Sequence, residues 1–169
     1  MWSVTKSGIV LFGYITLQYA LQLSTERNCD IAELWSGVGN ICQVGCDRGH
    51  ESVAFDLVRV PGITNVPGDA HEDITTESGF LKAMHHVLSL RTGGLLWLAP
   101  DCSSVTFPNS SRNKRRVGNF FGNEAYRPVE LGNCMAISAL FLVQLALHRA
   151  VHVCLENSAG SMIWSFLRL

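Results

Sequence analysis

The run Leu95-Leu-Trp-Leu-Ala99 is apolar at every position. Successive side chains on a strand point to opposite faces. A strand that is apolar on both faces must be covered on both, as in a parallel sheet sandwiched between helices. Val151-His-Val-Cys-Leu155 is a second run of this kind, and Ile31–Trp35 and Ser52–Asp56 are shorter ones. Asn65-Val66, between the loop signals Pro61-Gly62 and Pro67-Gly68, reads as a very short further strand. Helical spacing falls between these runs. It covers Asn40–Gly49, Glu77–Leu90 (Phe80, Leu81, Met84, Val87, Leu88) and Val129–Arg149 (Leu131, Met135, Leu142, Leu145). Thr92-Gly-Gly94 reads as a stop between the second helix and the strand after it. Strands alternating with helices predict an α/β fold: a mostly parallel sheet with helices on both faces.

Composition narrows the function classes. The chain has 169 residues, 47% of them hydrophobic and 16% charged, where a soluble domain averages roughly 25% charged. That excludes a disordered chain. With 13 Lys+Arg against 14 Asp+Glu, the chain cannot coat nucleic acid through bulk charge. The six cysteines include no Cys-x-x-Cys pair, which argues against a zinc site at the usual spacing and for thiols used as packing. Gly8–Leu23 is sixteen residues without a charge, preceded by Lys6. It reads as an apolar N-terminal helix within a unit 1–28, with a signal or membrane anchor as the alternative. Residues 29–169 form the α/β unit.

In parallel α/β sheets ligands bind beyond the carboxyl ends of the strands, and the notable polar groups of this chain fall there. Glu33 and Ser36-Gly-Val-Gly39 close the first strand, Asp56 the second, and Asp69 follows the short third run. Pro100, Asp101 and Cys102 follow the apolar strand at 95–99, and Glu156 and Asn157 follow the last. Gly37 and Gly39 let a backbone approach a ligand closely, and an acid about 20 residues on is suited to ribose hydroxyls. No Gly-x-Gly-x-x-Gly is present, so an adenosine-containing ligand smaller than a dinucleotide fits better. A thiol and a carboxylate at neighbouring strand ends can divide nucleophilic and acid work on one substrate. A buried Cys and a helix-capping Glu are the plainer alternative.

A basic insertion at 108–127 follows Cys102. It carries Arg112, Lys114, Arg115 and Arg116, flanked by Phe107, Phe120, Phe121 and Tyr126. Cations neutralise phosphates and aromatic rings stack on unpaired bases, so these four cations are the candidate nucleic-acid contacts. A solvated loop is the alternative.

Five of these landmarks, in order over residues 31–160, resemble the DNA (cytosine-5) methyltransferase family. Glu33-Leu-Trp-Ser-Gly-Val-Gly39 is similar to its first motif, and Asp56 to its acid after the second strand. Gly68-Asp69, Ala99-Pro-Asp-Cys102 and Leu155-Glu-Asn157 resemble its Gly-Asp, Pro-Pro-Cys and Glu-Asn-Val motifs. The resemblance implies a Rossmann-like methyltransferase fold and S-adenosylmethionine as cofactor, held by Glu33, Trp35, Ser36, Gly37, Gly39, Asp56, Asp69 and Pro100. It implies that Cys102 attacks C6 of a flipped cytosine and that Glu156 engages the N3 edge. The substrate would be nucleic acid, DNA ahead of RNA, in the nucleus or cytoplasm. Membrane association or secretion would come only through residues 8–23. Two departures open a second reading. Asp101 stands where the family has proline, and no Gln-x-Arg-x-Arg motif follows Glu156. The expectation is therefore a sheet lacking its C-terminal strands, and either an active enzyme or an inactive module that binds nucleic acid or a partner protein.

Overall fold

The computed structural model describes residues 26–57, 72–106, 110–116 and 118–166. The elements run β1 (Cys29–Leu34), α1 (Asn40–Asp47), β2 (Ser52–Phe55), α2 (Glu77–Ser89) and β3 (Leu90–Leu98). A single-turn helix α3 (Ser110–Asn113), the long helix α4 (Arg127–His148), β4 (His152–Leu155) and a last turn α5 (Ile163–Phe166) follow. The expected strand at Asn65-Val66, the apolar segment 8–23, and Asp69 with its Gly68 lie outside the described residues.

The four described strands form one sheet in the order β2-β1-β3-β4, and every neighbouring pair is parallel. The chain moves from β1 outward to β2, then crosses back over β1 to β3 and on to β4. The direction of travel therefore reverses beside β1 and β3. Right-handed crossovers then require α1 on one face and α2 with α4 on the other. Side-chain alternation agrees. Ile31 and Ala54 pack with Cys42 of α1. Ala32, Leu34, Phe55, Leu96 and Leu98 join the residues of α2 and α4 in the main core. Leu96 and Leu98 are fully buried, each contributing about 1.5–3 kcal/mol of hydrophobic stabilisation. This is the α/β architecture that the alternation of runs predicts.

Two elements differ from their sequence-based outlines. Strand β3 starts at Leu90, not after Gly94. Cys29 pairs with Leu90 but Ile31 with Leu95, so β3 carries extra residues opposite one step of β1. The glycines expected to stop the chain instead absorb this bulge. Gly93 takes φ 78°, and its N–H reaches the Ala150 carbonyl at 2.8 Å. Helix α4 begins two residues early, at Arg127, with Pro128 in its first turn, where the missing N–H costs nothing. Helix α4 is long and apolar enough to cross a membrane by length and composition alone. Its Leu142, Leu145 and Ala146 are buried in the main core.

Candidate functional site

Three backbone hydrogen bonds carry the ladder one or two residues past the strands. Ser36 N–H donates to Phe55 O at 3.2 Å, Ala99 N–H to Leu34 O at 3.1 Å, and Glu156 N–H to Leu98 O at 2.8 Å. Asn157 adds a side-chain tie, its Nδ2 donating to Pro100 O at 2.9 Å. The segments following β1, β3 and β4 are thus held along one edge of the sheet. Cys102 and Glu156 follow adjacent strands there, Cys102 half-buried and Glu156 exposed.

The turn after β1 is built from backbone. Trp35, Gly37 and Gly39 take φ values of 57°, 54° and 72°, so left-handed residues alternate with others through the turn. Positive φ is costly for a bulky side chain such as tryptophan. Here the Trp35 side chain packs against the main core, which repays that cost. The Gly37 N–H donates to Asp56 Oδ2 at 2.6 Å, tying the ends of β1 and β2 together. Gly39 precedes α1 and offers no capping side chain. Glu33 supplies what is missing. It is buried, and its Oε2 accepts the Cys42 N–H in the first turn of α1 at 2.9 Å. A carboxylate at a helix N-terminus also meets the positive end of the helix dipole. Burial and the neighbouring Glu33 charge push the Cys42 thiol far above its ordinary value of 9.0, so this thiol stays protonated and inert. Ser36 is buried, and its hydroxyl has no hydrogen-bond partner among the described residues. An unsatisfied buried hydroxyl costs about 1–3 kcal/mol, which makes it the atom of this turn that most needs a ligand.

Asp101 is exposed and bound to its own turn. Its Oδ1 accepts the Ser103 N–H at 3.0 Å and its Oδ2 the Ser103 hydroxyl at 2.5 Å. Pro100 is buried, and its carbonyl accepts the Asn157 side chain.

The basic insertion divides into two populations. Arg112, Lys114 and Arg116 are exposed. Arg115 is turned inward and 4% exposed. Its Nε donates to Ser104 O at 2.9 Å and its Nη2 to Val129 O at 3.2 Å, while Nη1 binds Phe120 O. Burial lowers its pKa, and nearby Glu124 opposes that shift. Lys114, between buried Asn113 and Arg115, takes φ 54°, the kink that lets both neighbours point inward. Phe120 and Phe121 are half-buried and pack on Ala136 and Ile163. Tyr126, at the start of α4, is exposed. Phe107 lies outside the described residues.

The Arg115–Ser104–Asn113 cluster and the Asn157 tie were not visible in the sequence as parts of one site. Nothing local to Ser104 or Asn113 signals that they meet. Among the described residues no group of three or more His, Cys, Asp or Glu could hold a metal ion. No protein-family model, curated protein or solved structure matches this chain.

Proposed function

We propose that this chain is a Rossmann-like methyltransferase domain that binds S-adenosylmethionine and methylates C5 of cytosine in nucleic acid, with DNA as the first choice of substrate. The observation that carries the reading is the reversal of strand order beside β1 and β3. The Gly37–Gly39 turn and the Cys102 loop flank this reversal, the place where open parallel sheets take their ligands. The residues present suit such a cofactor. The Ser36 hydroxyl is buried and has no hydrogen-bond partner among the described residues. Gly37 is exposed with open space beside it. Ser36, Gly37, Gly39 and Pro100 would border the cofactor. Glu33 and Asp56 would shape the cradle through the backbone amides they bind. Trp35 would brace it from the core, and Asp69 is carried in the proposal from the resemblance alone.

The bound cofactor would supply an electrophilic methyl group. Cys102 adds through sulfur to C6 of a cytosine turned out of its stack, since the target atom is unreachable inside a duplex. That addition makes C5 nucleophilic. Glu156 holds the N3 edge of the base. Once C5 has taken the methyl group, solvent takes the C5 proton, the C–H electron pair re-forms the C5–C6 double bond, and the Cys102 sulfur leaves C6 as thiolate. Calorimetry with S-adenosylmethionine tests the cofactor reading, and absence of binding sinks it. Covalent capture of a 5-fluorocytosine oligonucleotide, lost in Cys102→Ser, tests the chemistry.

A second reading, a module that binds nucleic acid without turnover, draws on the outward cations Arg112, Lys114 and Arg116 beside a loop holding Asp101. It predicts salt-sensitive oligonucleotide binding with no capture.

A further inference from the structure

The turn that carries Cys102 is fastened more heavily than its length requires. Val105 and Thr106 N–H groups both close onto the Cys102 carbonyl, at 3.0 and 3.1 Å. Ser104, between them, is buried. Its carbonyl accepts two side chains at once, Asn113 Nδ2 and Arg115 Nε, each at 2.9 Å. Asn113 Oδ1 in turn accepts the Arg115 N–H at 3.0 Å, locking the two donors to each other. The far side of the guanidinium reaches Val129 O at the start of α4 and Phe120 O in the insertion. Helix α4 presses on the same point. A Cβ added at Gly132 would lie 1.8 Å from Ser104 Oγ and 3.3 Å from Arg115 Nη2. Val105 O also accepts the Met162 N–H at 2.8 Å, which brings the segment before α5 to the turn.

A planar guanidinium with five fixed donors suits this junction of carbonyls, whereas an ammonium on a flexible stem does not. We propose that Arg115 is a positioning residue. Its buried guanidinium clamps the Cys102–Thr106 turn to helix α4 and to the insertion, and so sets where the Cys102 thiol stands at the strand edge. The same clamp turns the insertion so that Arg112, Lys114 and Arg116 face outward. The role of the clamp in chemistry rests on Cys102 being the nucleophile. The clamp itself does not.

The test is site-resolved iodoacetamide labelling of the full chain, wild type against Arg115→Lys, well below the melting temperature of each. Cys46 is the internal standard, and buried Cys42 is the control for general loosening. Arg115→Lys is expected to raise Cys102 labelling roughly tenfold relative to Cys46, since a loosened loop exposes the thiol, while lowering 5-fluorocytosine capture by a similar factor. Labelling of Cys42 should not change. An unchanged ratio of Cys102 to Cys46 overturns the proposal. So does a parallel rise at Cys42, which would mean general loosening of the core. A labelling change without any capture, even in wild type, keeps the clamp and removes the methyltransferase reading. An unchanged ratio with a salt slope of oligonucleotide binding reduced by about one would make Arg115 a phosphate contact instead.

Discussion

The two halves of the sheet's carboxyl edge use their polar residues in opposite ways. On the β1–β2 half the acids are consumed by the fold. Glu33 accepts the Cys42 amide and Asp56 the Gly37 amide. On the β3–β4 half neighbours make the ties instead. Asn157 binds Pro100, and Arg115 binds Ser104. Cys102 and Glu156 are left half-buried and exposed. On the proposed function, the first half would be a cradle shaped before its ligand arrives, and the second would keep Cys102 and Glu156 out of the scaffold while Asp101 is tied into its own turn. Backbone and neighbours would then supply the preorganisation that the proposed chemistry needs.

The largest expected effect breaks the scaffold of the second half. Arg115→Ala removes a buried guanidinium and every bond it donates to the Ser104, Phe120 and Val129 carbonyls, so it should cost at least about 3 kcal/mol. The adjacent Arg116→Ala should stay within about 0.5 kcal/mol, as surface changes do. Urea unfolding of both variants checks the pair, and equal losses would erase the division of the insertion into inward and outward cations. Next, Glu33→Gln removes the charge at the α1 terminus while keeping an acceptor, for about 1 kcal/mol. Glu33→Ala orphans the Cys42 amide and leaves a cavity, for about 2–3 kcal/mol. If both cost nothing, Glu33 does not act through α1.

A third prediction concerns alkali. Burial, the leading cause in each case, raises the thiols of Cys29, Cys42 and Cys134 above their ordinary value of 9.0. A group whose folded pKa is raised keeps its full stabilising effect below the unfolded value and loses it as pH climbs past that value. The melting temperature should therefore fall once pH exceeds about 9, and Cys42→Ala should flatten that fall. A melting temperature level through this range would contradict the burial of these thiols. The smallest effect is electrostatic. Lys114→Ala or Arg116→Ala should each lower the salt slope of oligonucleotide binding by about one and leave melting unchanged.

Much of the frame was legible because burial writes itself as periodicity. Leu96 and Leu98 on one face with Leu95 and Trp97 on the other require cover on both sides, and the expected strands at 31–35, 52–56, 95–99 and 151–155 each correspond to a strand of the sheet. Placement of Gly37, Asp56, Cys102 and Glu156 at strand ends followed from that register. The bulge at 91–94 was not legible, since Gly-Gly serves a stop and a bulge equally well, and pairing with β1 decides between them.

The amino-acid order alone therefore determined the parallel α/β arrangement and the edge on which the polar residues gather, because both follow from side-chain alternation along single elements. Only the tertiary structure decided what individual polar groups do. Arg115 and Arg116 are neighbours of the same chemistry, yet one is buried and the other exposed. Carbonyls from residues 104, 120 and 129, brought together by three separate segments, meet around Arg115 alone. Glu33 caps α1 for the same reason: the amide it satisfies belongs to an element that folds back over the strand. A buried charge is stable only where such partners converge, and that convergence is a property of the assembled fold that no local pattern encodes.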